Sequence, residues 1–156
     1  MTLDLPGLLG VLVCNDVRFV TVGAFAVSVH GHPRMTADLD IVPDPASDNI
    51  ARLAAALTQL EATIPSGKRF DPDLHGRALH RGGNATLSTR SGPLDIVQRL
   101  AGVPGYEELL AHAVEVTLAG LTVDVCSLAD LRAMKEAAGR PQDLADLANL
   151  PLADEM

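Results

Sequence analysis

Two aspartates inside an apolar run constrain this chain more than any other feature. The stretch from Val22 to Val42, VGAFAVSVHGHPRMTADLDIV, holds a glycine at Gly23, a basic residue at Arg34, and the pair Asp38 and Asp40 around Leu39, Ile41 and Val42. Burying carboxylates beside a core strand is costly unless something neutralises them. Alternation along a strand over Ala37 to Val42 puts both acids on one face, about 7 Å apart. Two carboxylates so placed repel unless a cation sits between them. Mg²⁺ (or Mn²⁺) is the natural filler, because it takes a few carboxylates together with phosphate oxygens.

The residues before the pair suit phosphate. Arg18 to Val22 is β-rich and reads as a strand, and Ala24 to His30 reads as a helix. Gly23 is the turn between them, which lets backbone N–H groups approach a phosphate closely. Arg34 and Thr36 follow in a Gly- and Pro-punctuated loop, where they can reach phosphates or the rest of a nucleotide. An acidic metal site facing a phosphate cradle is what phosphoryl or nucleotidyl transfer requires. Such a site needs a third acid. Asp95, in Gly-Pro-Leu-Asp-Ile-Val, is the first candidate. Asp124, in Thr-Val-Asp-Val-Cys, shows the same local pattern and stays open as the alternative. The plainer reading of Asp95 is a hairpin-edge acid paired with Arg90 or Arg99.

A chain of 156 residues with 47% hydrophobic content fits one domain with a sizeable core. Aromatic residues make up 3%, so the core is aliphatic and stacking platforms for bases are scarce. A net charge of −8 disfavours a general grip on nucleic acid. Helices are expected over Leu5–Asn15, about Asn49–Glu61, Tyr106–His112, Leu128–Ala138 and Pro141–Asn149. Hairpins are expected from Asn84–Thr89 with Pro93–Val97, and from Val114–Leu118 with Leu121–Val125. Residues 65–81 read as a long loop carrying His75, Arg77, His80 and Arg81, and as the chain's one local basic patch. The whole reads as a mixed α+β domain, a small twisted sheet with helices packed on it, with 127–150 a helical pair at its C-terminal side.

The chain resembles the DNA polymerase β-type nucleotidyltransferase superfamily, marked by a glycine turn, an Asp-x-Asp pair and a later single Asp. Within it, His30-Gly31-x-x-Arg34-x-Thr36-x-Asp38-Leu39-Asp40-Ile41 is similar to the first motif of AbiEii-type toxins of toxin–antitoxin systems. Leu131-Arg132-Ala133-Met134-Lys135-x-x-x-Gly139-Arg140-x-x-Asp143-x-x-Asp146 resembles that group's C-terminal motif. The resemblance implies a polymerase β-like fold and transfer of a nucleoside monophosphate from an NTP such as ATP. It implies that Asp38, Asp40 and Asp95 hold the metal, with Asp95 as third ligand or base. It further implies that Gly23, Ala24, Arg34, Thr36 and Lys135 hold the nucleotide, with Asp143 in support. The family turn usually continues with Ser or Gly. Here it continues with Ala24, so the hydroxyl contact to phosphate is lost while the backbone cradle remains.

Each motif has a plainer reading. His30 and His32 flank a Gly-Pro loop and read as loop residues. Lys135, among Arg132, Glu136 and Arg140, reads equally well as part of a solvated helix face. The acceptor implied is an RNA such as a tRNA end, a protein side chain or a small molecule. A cognate toxin–antitoxin partner is implied as well. The rival reading, drawn from Ala24, is a weak or inert member that acts by binding, antitoxin-like. Cys14 and Cys126 lack metal-ligand spacing and read as two buried thiols in a reducing compartment. The apolar N-terminal run is too short to span a membrane and lacks a basic start, so a cytoplasmic setting is expected.

Overall fold

The computed structural model describes residues 2–99 and 104–152. The chain begins with α1 (Leu5–Cys14), β1 (Phe19–Val22), α2 (Gly23–Val29), β2 (Leu39–Pro43) and α3 (Ser47–Gln59). It continues with α4 (Leu74–His80), the hairpin β3 (Ala85–Thr89) and β4 (Gly92–Ile96), and α5 (Tyr106–His112). A second hairpin, β5 (Val114–Leu118) and β6 (Leu121–Val125), leads into α6 (Leu128–Ala138) and α7 (Pro141–Asn149). One mixed sheet of six strands runs in the order β3-β4-β2-β1-β6-β5. The architecture is therefore the α+β one that the sequence predicts.

Sheet order is the fact that matters for the site. β1 and β2 are antiparallel neighbours at the centre. Each hairpin joins this pair through one strand in parallel, β4 against β2 and β6 against β1. The β5–β6 turn forms because Ala119 and Gly120 both take positive φ, 51° and 80°, the geometry a two-residue hairpin turn asks for. The core is aliphatic: Leu39, Ile41, Leu53, Leu57 and Leu94 are fully buried. α2 packs on β1 and β2 and touches α6, which in turn packs on α7. Ser127 caps α6 by accepting from the Asp130 N–H at 3.1 Å, and Gly139 closes it in the left-handed conformation at φ 61°.

Several expectations shift. The 65–81 segment contains α4, so His75, Arg77 and His80 are helical. Asp71 starts that helix by accepting from the N–H groups of Asp73 and Leu74 at 2.9 and 3.3 Å, and Leu79 anchors it in the core. β2 spans Leu39–Pro43 and not Ala37–Val42, which leaves Asp38 just ahead of the strand. Cys14 is exposed, because α1 turns it away from the core, and only Cys126 is buried. Burial pushes the Cys126 thiol up to about 12. His30 starts the loop after α2, as expected, but its side chain is buried, with Nε2 2.7 Å from the Cys126 carbonyl. No helix among the described residues is long and apolar enough to cross a membrane.

Candidate active site

Three carboxylates converge. Asp40 on β2 lies directly across from Asp95 on the parallel strand β4, so their side chains share a face. Asp38 joins them from the bend before β2. One carboxylate oxygen from each of Asp38, Asp40 and Asp95 lies within 4.8 Å of the others, a spacing that can hold a metal ion. Asp124 does not join them. It sits on β6 beside Val20 of β1 and lines a separate hollow with Asp16, Arg18 and Arg52.

The electrostatics of the group are those of three acids that a cation would relieve. Burial first, and then the charges of Asp38 and Asp95, push the Asp40 carboxyl up to about 7. Burial and Asp38 raise Asp95 too, against hydrogen bonding with Asp40 and, less strongly, with Thr86 on the adjacent strand β3. A divalent ion held by Asp38, Asp40 and Asp95 would offset both the repulsion and the penalty for burying charge. The donor set, all carboxylate oxygen, suits a hard cation such as Mg²⁺ or Mn²⁺.

Gly23 sets the distance of closest approach. It follows β1 at φ 70°, and a Cβ there would run into the Asp40 carboxylate. Glycine is thus required twice, for backbone conformation and for space. Gly23→Ala is expected to cost about 1–3 kcal/mol and to weaken Mg²⁺ binding by displacing Asp40. Chemical denaturation with and without Mg²⁺ checks both effects.

The acids open into a cleft of about 640 Å³, in the size range of small-ligand sites. Gly23, Ala24, Arg34, Lys135 and Asp143 also line it. Thr36 does not line it and sits half-buried in the loop before Asp38. Ala24 is buried and presents only its backbone and a methyl group. Lys135 is not on a solvated face. It is 8% exposed, and its ammonium bridges Asp143 at 3.1 Å and Asp146 at 3.0 Å. Burial raises Asp143, but hydrogen bonds from Arg140 and Lys135 outweigh it and hold the carboxyl below its ordinary range.

Two polar residues at the α7 side of the cleft have no role expected from the sequence. Arg140 binds Asp143 through Nε at 2.7 Å, and its charge is further favoured by Asp40 and Asp38 across the cleft. Gln142 lines the same wall and donates to Asp146 at 3.0 Å. Arg140 could have been found from its place beside Pro141 at the start of α7, inside the C-terminal motif. Nothing in the sequence singles out Gln142.

Asp40 and Asp143 bend stability with pH in opposite directions. Asp40 titrates near 7 in the folded chain and near the ordinary carboxylate value when unfolded. Between those values the native state binds more protons, so the metal-free protein loses stability as pH rises from about 4 towards 7. The depressed Asp143 contributes stability above the ordinary carboxylate value and loses it as pH falls through its lower folded value. Urea denaturation is therefore expected to show Mg²⁺ stabilising the protein more at pH 8 than at pH 5.

No protein-family model and no curated protein matches the chain. Solved structures do match. The chain is similar to TM1012 of Thermotoga maritima, a protein classed as a nucleotidyltransferase, at 17% identity and a TM-score of 0.55, covering 94% of each chain. It is similar to an antigenic nucleotidyltransferase-like protein of Paracoccidioides brasiliensis, at 18% identity and a TM-score of 0.59, over 96% of this chain and 77% of that one. It is also similar to ANT(2″)-Ia, solved with adenylyl-2″-tobramycin, at 14% identity and a TM-score of 0.54, over 90% of this chain and 82% of that one. The fold is that of the nucleotidyltransferases, and at these identities the likeness speaks for the fold alone.

Proposed function

We propose that the protein is a metal-dependent nucleotidyltransferase that moves a nucleoside monophosphate from an NTP to an acceptor hydroxyl. The observation that carries this reading is the convergence of Asp38, Asp40 and Asp95 within 4.8 Å beside the Gly23 turn. The acceptor oxygen bonds to the α-phosphorus, the bond to the β-phosphate oxygen breaks, and pyrophosphate leaves. Asp38 and Asp40 hold Mg²⁺ or Mn²⁺, which when bound offsets the charge of the reacting phosphate. Asp95 is the third ligand, or takes the proton from the acceptor hydroxyl; burial and Asp38 raise its affinity for that proton. The Gly23–Ala24 backbone, Arg34 and Lys135 hold the phosphates, with Asp143 keeping Lys135 in place.

The acceptor is an RNA, a protein or a small molecule. ANT(2″)-Ia, with its adenylyl-2″-tobramycin, supplies the small-molecule precedent on this fold. The two motifs in the order found in AbiEii-type toxins support a role in a toxin–antitoxin pair, with a cognate partner in the cytoplasm. A second reading is favoured by Ala24: a fold member that binds its partner and turns over weakly or not at all.

Incubation with labelled NTPs, Mg²⁺ and either total RNA, protein extract or amino sugars separates these readings. Transfer of label that Asp38→Ala abolishes is the expected result. Wild-type protein that neither transfers label nor binds any NTP removes the enzyme reading.

A further inference from the structure

Asp146 is fully buried on α7, yet both of its oxygens are occupied. Oδ2 takes the Lys135 ammonium at 3.0 Å and one terminal nitrogen of Arg34 at 3.4 Å. Oδ1 takes Gln142 at 3.0 Å and lies 3.2 Å from Arg34 Nε. That Nε is buried and within ion-pair distance, but it makes no hydrogen bond among the described residues. The two cations come from distant parts of the chain. Arg34 lies in the loop that leads to Asp38, and Lys135 lies on α6. Both line the cleft, and Asp146 does not.

The donors that remain are informative. A guanidinium carries N–H groups on three nitrogens; Asp146 accepts a hydrogen bond from one terminal nitrogen and holds Nε by charge alone. An ammonium carries three N–H groups; Asp143 accepts one at 3.1 Å, and Asp146 lies within ion-pair distance at 3.0 Å. Among the described residues, the other terminal nitrogen of Arg34 and at least one N–H of Lys135 make no hydrogen bond, and both side chains line the cleft. Lys135 is near enough to Asp40 for its charge to favour that carboxylate.

We propose that Asp146 is a positioning residue for the nucleotide: from behind the cleft wall it fixes Arg34 and Lys135 side by side, so that their spare donors face the triphosphate. This rests on the nucleotidyl-transfer reading above. It ties the loop before β2 to α6 through a single carboxylate, so two cations that would each sample many rotamers are held in place before the nucleotide arrives.

The test is Asp146→Asn, assayed for NTP binding, for KM and kcat, and for Mg²⁺ binding without nucleotide. The expected result is a Kd and KM for NTP raised about tenfold or more, with kcat little changed and Mg²⁺ affinity unchanged. A folded D146N with wild-type Kd and KM for NTP overturns the proposal, as does a loss confined to kcat. Asp146→Glu, which keeps the charge but moves it, carries the test if D146N does not fold, and the same loss of NTP affinity is expected. If neither variant folds, Asp146 serves core stability and the proposal fails. Wild-type protein that binds no NTP is a different outcome, because it removes the transferase reading itself.

Discussion

Asp40→Asn is expected to abolish metal-dependent transfer, lowering it by about three orders of magnitude, while leaving the fold intact and the metal-free protein more stable. The two effects have one cause. The Asp40 carboxylate is partly buried beside Asp38 and Asp95, and without a cation its charge opposes folding near neutral pH. The amide has nearly the same shape and no charge, so it removes the repulsion along with a ligand oxygen. Stability gained where function is lost is the signature of a site strained for its task. A thermal melt in EDTA and one in Mg²⁺ distinguish this from ordinary damage. In EDTA, D40N should melt above wild type at pH 8, and Mg²⁺ should shift wild type upward and D40N far less. A variant that melts lower in both conditions would mean that Asp40 is a structural acid.

Lys135→Met is expected to have the opposite character and to destabilise the protein by about 3 kcal/mol, towards the lower end for a broken buried ion pair. Asp143 and Asp146 are both buried, and Lys135 is the cation they share. The loss stays at the lower end because Asp143 keeps Arg140 and Asp146 keeps Arg34. The expected fall in melting temperature is roughly 6–12 °C. Lys135→Met with Asp146→Asn should recover part of it, since the second change removes one of the stranded charges. NTP affinity should not return in the double variant, because the cation facing the cleft is still missing. A K135M protein as stable as wild type would place the lysine outside the buried network.

Much of the scaffold was legible because local signals agreed. Ala119-Gly120 between two β-rich runs, Ser127 ahead of α6, Gly139 behind it and Pro141 at the start of α7 each have one natural reading. α4 was not legible. Its seven residues bury one large apolar side chain, Leu79, while Leu74 stays exposed, and its start depends on Asp71 three residues upstream of Leu74. The choice between Asp95 and Asp124 was open in principle, because both are lone acids in apolar strands of hairpins. Only the sheet order separates them, since β4 lies beside β2 and β6 lies on the far side of β1. That order comes from long-range pairing, which no local pattern encodes.

The C-terminal charges show the same limit. In the sequence, Lys135, Asp143 and Asp146 look like the polar side of two surface helices. In the structure they lie between α6, α7 and the loop carrying Arg34, because each charge has a partner that only the folded chain supplies. Spacing within a helix predicts neighbours one turn away. It does not predict a pairing between residues 112 positions apart, as in Arg34 with Asp146.

The most direct measurement is a Mn²⁺ titration followed by electron paramagnetic resonance, at pH 8, of wild-type protein and of the Asp38→Asn, Asp40→Asn, Asp95→Asn triple variant. Saturable binding to wild type is expected, competed away by Mg²⁺, tightened by NTP and absent from the triple variant. Equal binding by both proteins, or no binding by wild type even with NTP present, would contradict a metal site at these three acids.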